Sequence, residues 1–197
     1  MPVVFSRRLQ SIPLNFPHLV ERFTLFVIIT FGEMVVGIAQ YFTVGELSAS
    51  TILVFIVAVS LFVYYILQLD YMMNLAEPEQ GTWIFQYAHL PIFFGLGMTT
   101  VSFAYLLDPE ANSLFVVLFL YTGLLSFYLG VFATHGYNLP QYKASAGILI
   151  VQVVVLAASF VLSLVFMNWH PAVILITAIG TTTLSLMLFH FYKSRRV

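Results

Sequence analysis

The chain has 197 residues, of which 61 % are hydrophobic and 8 % charged, and its formal net charge is −1. Soluble domains carry roughly a quarter of their residues as Asp, Glu, Lys and Arg, so this composition and a mean hydropathy of +0.99 exclude that class. The near-zero charge leaves no basic surface for nucleic acid, and the absence of cysteine removes disulfide, iron–sulfur and thiolate-zinc chemistry together.

A helix needs about 20 apolar residues to cross the hydrocarbon of a bilayer. Six runs meet that length, at approximately 18–41, 48–70, 82–106, 111–134, 145–167 and 171–192. Turn and polar residues separate them, among them Gly45-Glu46, Glu77-Pro78-Glu79, Asp108-Pro109-Glu110, Gly136 through Pro140 and Asn168 through Pro171. The expected fold is therefore all-α, a polytopic membrane bundle of six transmembrane helices in one domain. Residues 1–17 lack the apolar core of a signal peptide, which leaves insertion to the first span. They form an N-terminal interfacial segment, and 193–197 a basic tail.

With both termini on one side, Arg7, Arg8, Lys143, Lys193, Arg195 and Arg196 share that side, while the opposite loops carry only Glu46, Asp108 and Glu110. The bias of Lys and Arg toward the cytoplasm then puts both termini inside the cell. Aromatic residues suited to the interfaces are Trp83, Tyr142 and Tyr192 at the inner boundary and Tyr41, Tyr105 and Trp169 at the outer.

The first span holds the sharpest chemistry. Arg22, Glu33 and Gln40 are 11 and 18 positions apart, so they fall within about 20° of one another around a helix. Glu33 lies about 16 Å beyond Arg22 along the axis, near the middle of the apolar run. A carboxylate at that depth is expected to face protein or a water-filled cavity and to mark a functional position. It serves either as a proton or cation carrier or as a neutral donor stapling two helices.

The segment HLVERFTLFVIITFGEMVVGIAQ, with His18, Glu21, Arg22, Gly32 and Glu33, resembles the hallmark region of the bacterial low-temperature-requirement A family. YAHLPIFFGLG, with His89, Pro91, Gly95 and Gly97, is similar to a second stretch of it. The resemblance runs from about residue 13 to the end and implies a multi-pass bacterial inner-membrane protein, linked by name to growth in the cold. Members are usually about twice as long, with an earlier set of helices. The resemblance is therefore to a C-terminal half, which is either a natural half-length form completed by a homodimer or by a partner supplying further helices, or a fragment of a longer protein.

Other polar positions carry two readings each. His89 lies about 10 Å from the inner end of the third helix, one turn after Gln86 and just before Pro91. It is either a titrating or ligand-facing group or a staple holding a proline kink. Asp70 and Gln68 end the second helix near the depth of Arg22. An Arg22–Asp70 or Arg22–Glu21 pair is the expected way to satisfy the arginine, as an inner latch or a gate. Small and hydroxyl residues around Gly95, Gly123, Gly130 and Gly180 read as close packing or as a hydroxyl-lined path.

No H-E-x-x-H, G-x-S-x-G, P-loop or dinucleotide fingerprint is present. His89 stands alone in the core, so no cofactor, metal or catalytic site is expected, and no enzyme. The functional expectation is a proton- or cation-coupled transporter or channel-like subunit using Glu33, His89, Gln86 and Gln40, with Glu21, Arg22 and Asp70 pairing charges at the inner end. The competing expectation is a non-transporting scaffold whose charges are helix staples. The bilayer is the one partner implied outright, with a small ion or solute implied by transport.

Overall fold

Hydrocarbon offers no water to a peptide group, so each apolar run must close its own backbone hydrogen bonds as helix. The computed structural model describes residues 15–39, 48–76, 82–108, 110–143 and 145–196. Among them are six long helices: α1 (Phe16–Ala39), α2 (Ala49–Ile66), α3 (Trp83–Leu106), α4 (Ser113–Ala133), α5 (Ala146–Val165) and α6 (His170–Arg195). All six are long and apolar enough to cross a membrane, α2 and α4 through short extensions.

Local chemistry fixes where the helices begin and end. Ser48 caps α2 by accepting the Thr51 amide at 3.2 Å, and Asn112 caps α4 by accepting the Phe115 amide at 3.0 Å. Pro171 occupies the first turn of α6, where its missing N–H costs nothing. The same helix continues past residue 192, carrying Lys193 and Arg195 in its last turn, where cations favour the negative end of the helix dipole. α2 finishes in a π turn, Leu67–Tyr71, and α4 in a 3₁₀ turn, Thr134–Tyr137. These two extensions meet through backbone bonds from Asn74 N to Tyr137 O (2.8 Å) and Leu139 N to Met72 O (2.9 Å).

α3 and α4 make the most extensive pair, α2 and α5 pack on α6, and α1 lies against α2 and α3. The α3–α4 contact is backbone against backbone. A Cβ on Gly95 would sit 2.5 Å from Phe127 N and 2.6 Å from Gly123 O, and one on Gly130 would sit 2.7 Å from Ala88 O. Between lipid-solvated helices packing must replace the hydrophobic drive, and small residues permit the close approach that supplies it. α3 runs unbroken through Pro91, and the Ser126 hydroxyl of α4 donates to the Pro91 carbonyl at 2.9 Å.

Gly97 is different, with nothing within 4 Å of its would-be Cβ. Substituting Gly95→Ala should therefore destabilise the bundle by about 1–3 kcal/mol through overpacking. Gly97→Ala should be neutral or stabilising by up to about 1 kcal/mol, because alanine loses less entropy in a helix. Thermal unfolding of the two purified variants in detergent checks the contrast; equal melting temperatures would contradict it.

Candidate functional site

Glu33 is exposed on α1, facing away from the other five helices. The face α1 packs inward is a stripe of Val20, Thr24, Val27, Phe31, Met34 and Ile38. The neighbours of Glu33 on the opposite face, Ile29 and Val36, are 60 % and 70 % exposed. The expectation that this carboxylate faces protein or a water-filled cavity is thus not met within a single chain. Gly37 turns toward α3 instead, with Thr100 Cγ2 in van der Waals range of its would-be Cβ at 3.4 Å. Gln40 and Tyr41 lie outside the described residues.

At the end of the bundle where α1 begins, neither expected arginine pair forms among the described residues. Arg22 Nε donates to His18 Nε2 at 3.3 Å, one turn back on the same exposed face. His18 Nδ1 lies 3.6 Å from Glu21. The imidazole therefore stands between the acid and the guanidinium. Asp70 comes from the π turn of α2, an irregularity common at functional sites. With Glu21 and Thr24 it lines a cavity of about 260 Å³, and Arg22 is not among the lining residues.

His89 is fully buried. Its Nδ1 lies 2.8 Å from the Phe85 carbonyl, an obligate acceptor, so Nδ1 carries the proton. Nε2 is then left to accept from the Tyr65 hydroxyl of α2 at 3.1 Å. Phe23 and Phe85 flank the ring at 4.6 and 4.5 Å between centroids. Both nitrogens are occupied, which is the staple geometry. Gln86, half-buried one turn earlier, makes no side-chain hydrogen bond among the described residues.

A second staple, unforeseen in the sequence, joins the π turn to the end of α4. Gln68, fully buried, donates from Nε2 to Asn138 Oδ1 at 2.6 Å and accepts from Asn138 Nδ2 at 3.3 Å. Asn138 also donates to the Tyr142 carbonyl at 3.3 Å. Tyr142, assigned to the interface by sequence, is buried here, its ring 5.5 Å from that of Tyr192. Further out, the Tyr121 hydroxyl meets Ser163 at 2.8 Å and Thr177 at 3.3 Å. Tyr64 donates to Gln152 at 3.1 Å. Gln152 is the one amide in α5, and the reasoning applied to Glu33 would have found it.

No group of three His, Asp or Glu side chains meets in metal-binding proximity among the described residues. A second cavity, about 270 Å³, is an apolar groove between α4 and α5 lined by Leu118, Tyr121, Val153, Leu156 and Phe160. Glu33 lines neither cavity.

Six apolar helices among the described residues, each long enough to cross a bilayer, with polar side chains bonded across the core, define a multi-pass integral membrane protein. A family model described as bacterial low temperature requirement A protein (LtrA) matches residues 1–186, and the chain belongs to that family. No curated protein and no solved structure matches the chain.

The amide pair makes a clean test of the interior. Gln68→Leu or Asn138→Leu should each cost about 1–3 kcal/mol, since each strands the other amide without its partner. The double variant should cost less than the sum. A double-mutant cycle on unfolding free energies in detergent measures the coupling, and strict additivity would refute it.

Proposed function

We propose that the protein is a proton- or cation-handling subunit that works as an assembly, with Glu33 at the interface between bundles. The observation carrying this reading is the outward position of Glu33 between the exposed apolar side chains Ile29 and Val36. A charged side chain at the centre of a spanning helix costs about 2.5–3.5 kcal/mol against lipid on the insertion scale. A second membrane-embedded bundle, a second copy of this chain in the simplest case, removes that cost by offering a polar partner or shared water. The polar groups inside one bundle support the same division of labour, because His89 and Gln68 are committed to hydrogen bonds that hold helices together. An ion path is then better sought between bundles than through one, and the cytoplasmic placement of both termini follows the distribution of Lys and Arg.

Those same staples favour a second reading, a non-transporting membrane scaffold in which Glu33 only fixes assembly. Two measurements separate the two. The chain has no native cysteine, so Val36→Cys can be oxidised in native membranes; a disulfide dimer is expected there and not for Val153→Cys on α5. In proteoliposomes, Glu33→Gln should lower proton or monovalent-cation flux at least tenfold while the Val36→Cys crosslink persists. Wild-type flux in Glu33→Gln, or no flux from either protein, would retire the transport reading; loss of the crosslink alone would retire the interface.

A further inference from the structure

We infer that the outward face of α1 docks on the same face of α1 in a second, parallel copy, so that the two Glu33 carboxyl groups meet across a two-fold axis. This rests on the reading that Glu33 lies between bundles, and it names what Glu33 meets there. The spacing of the exposed residues carries the inference. Phe26, Ile29 and Val36 are the most exposed large apolar side chains of α1, at 58 %, 60 % and 70 %. With Glu33, also exposed, they follow one another at steps of three, four and three residues. That is the 3.5-residue period of two helices packed along a common seam, and the crossing it produces is the usual one between membrane helices. Leu25, Ile28 and Val35 fall to one side of the seam and are less exposed.

A partner for this face must bring a polar group to the depth of Glu33, and the chain itself narrows the choice. The other exposed acids and bases among the described residues gather at the two ends of the bundle. His18, Glu21, Arg22, Asp70 and His190 lie toward the end where α1 begins, and Asp108 and Glu110 at the other. Glu33 stands about 16 Å along the helix from Arg22. In a copy of the same orientation, the exposed ionisable side chain at that depth is Glu33 itself.

A two-fold axis along the membrane normal sets equal residues at equal depth, and the interface is then self-complementary. One carboxyl group keeps its proton and donates to the other, a bond that lipid cannot offer to either. A single polar residue in an apolar seam specifies the register of the pair at some cost in stability, and Glu33 is that residue here. α5 supplies the contrast. Ile150, Val153, Val161 and Val165 are exposed on it, yet the helix carries no ionisable group. Lipid tails cover such a face as well as another helix would.

Single cysteines in the cysteine-free chain, oxidised in native membranes, test the seam. Phe26→Cys, Ile29→Cys and Val36→Cys should each link to their own copy about tenfold more than Ile28→Cys and Val35→Cys, because a disulfide needs close β-carbons. Charge tests the carboxyl contact. Glu33→Lys, placed in the Val36→Cys chain, should lower the self-link about tenfold, since like charges at close range repel. Co-expressed with a differently tagged Val36→Cys chain that keeps Glu33, it should regain the link between unlike copies, which also shows that the variant inserts and folds. Glu33→Gln should keep the self-link, because side-chain amides both donate and accept. Equal linking at seam and flank positions would overturn the inference, as would the absence of unlike pairs in membranes that hold both chains. A self-link in Glu33→Lys as strong as in its parent would also overturn it, while leaving Glu33 between bundles opposite some other group. Loss of the parent Val36→Cys link would instead remove the interface itself. None of these readouts depends on flux.

Discussion

The backbone contact between α3 and α4 is the constraint on which the remaining geometry rests. Lipid tails are as apolar as leucine, so adjacent helices gain little from hiding greasy surface and must gain it from packing and hydrogen bonds. Gly95, Gly123 and Gly130 let these two helices touch along their length. That contact positions the rest of α3. The Phe85 amide, one of the unpaired donors at a helix start, donates to the Tyr137 hydroxyl beyond the end of α4 at 3.2 Å. The Phe85 carbonyl then orients His89, and His89 in turn receives α2 through Tyr65. One contact of small residues thus fixes the docking of a third helix.

Two sets of polar residues in this bundle have opposite energetics. Gln68, Asn138, His89, Tyr121 and Ser163 are buried and bonded, and in a low dielectric each such bond counts while each broken one is expensive. Glu33, Glu21 and Asp70 are exposed on the single chain. The first set explains why the helices stay together. The second bonds no helix to another among the described residues, which is why function is sought there.

The sequence made the helices legible because an apolar run long enough to cross a bilayer has almost no other stable conformation. It also carried the family, through the residues around Glu33 and His89. It did not reveal which side of α1 packs inward. Periodicity shows that Arg22 and Glu33 share a face, but in this helix the opposite face is equally apolar, so no contrast distinguishes core from lipid. The Gln68–Asn138 pair was invisible for another reason: its members are 70 positions apart, and only the π turn and the 3₁₀ turn bring them together. Arg22 meets His18, one turn back on its own helix, rather than an acid, a choice that the sequence alone does not decide.

The thin attachment of α5 has a mechanical consequence. The two buried residues of this helix are both serines: Ser163, held by the Tyr121 hydroxyl, and Ser159, seated where Gly180 of α6 has no side chain. With the bond from Tyr64 to Gln152, these few polar or small groups do for α5 what broad interlocking does for α3 and α4. Regions held by few contacts open at lower free energy than the whole, so the molecule has a parting line. Along it the fifth helix can swing out like a door leaf while the remaining five keep their places.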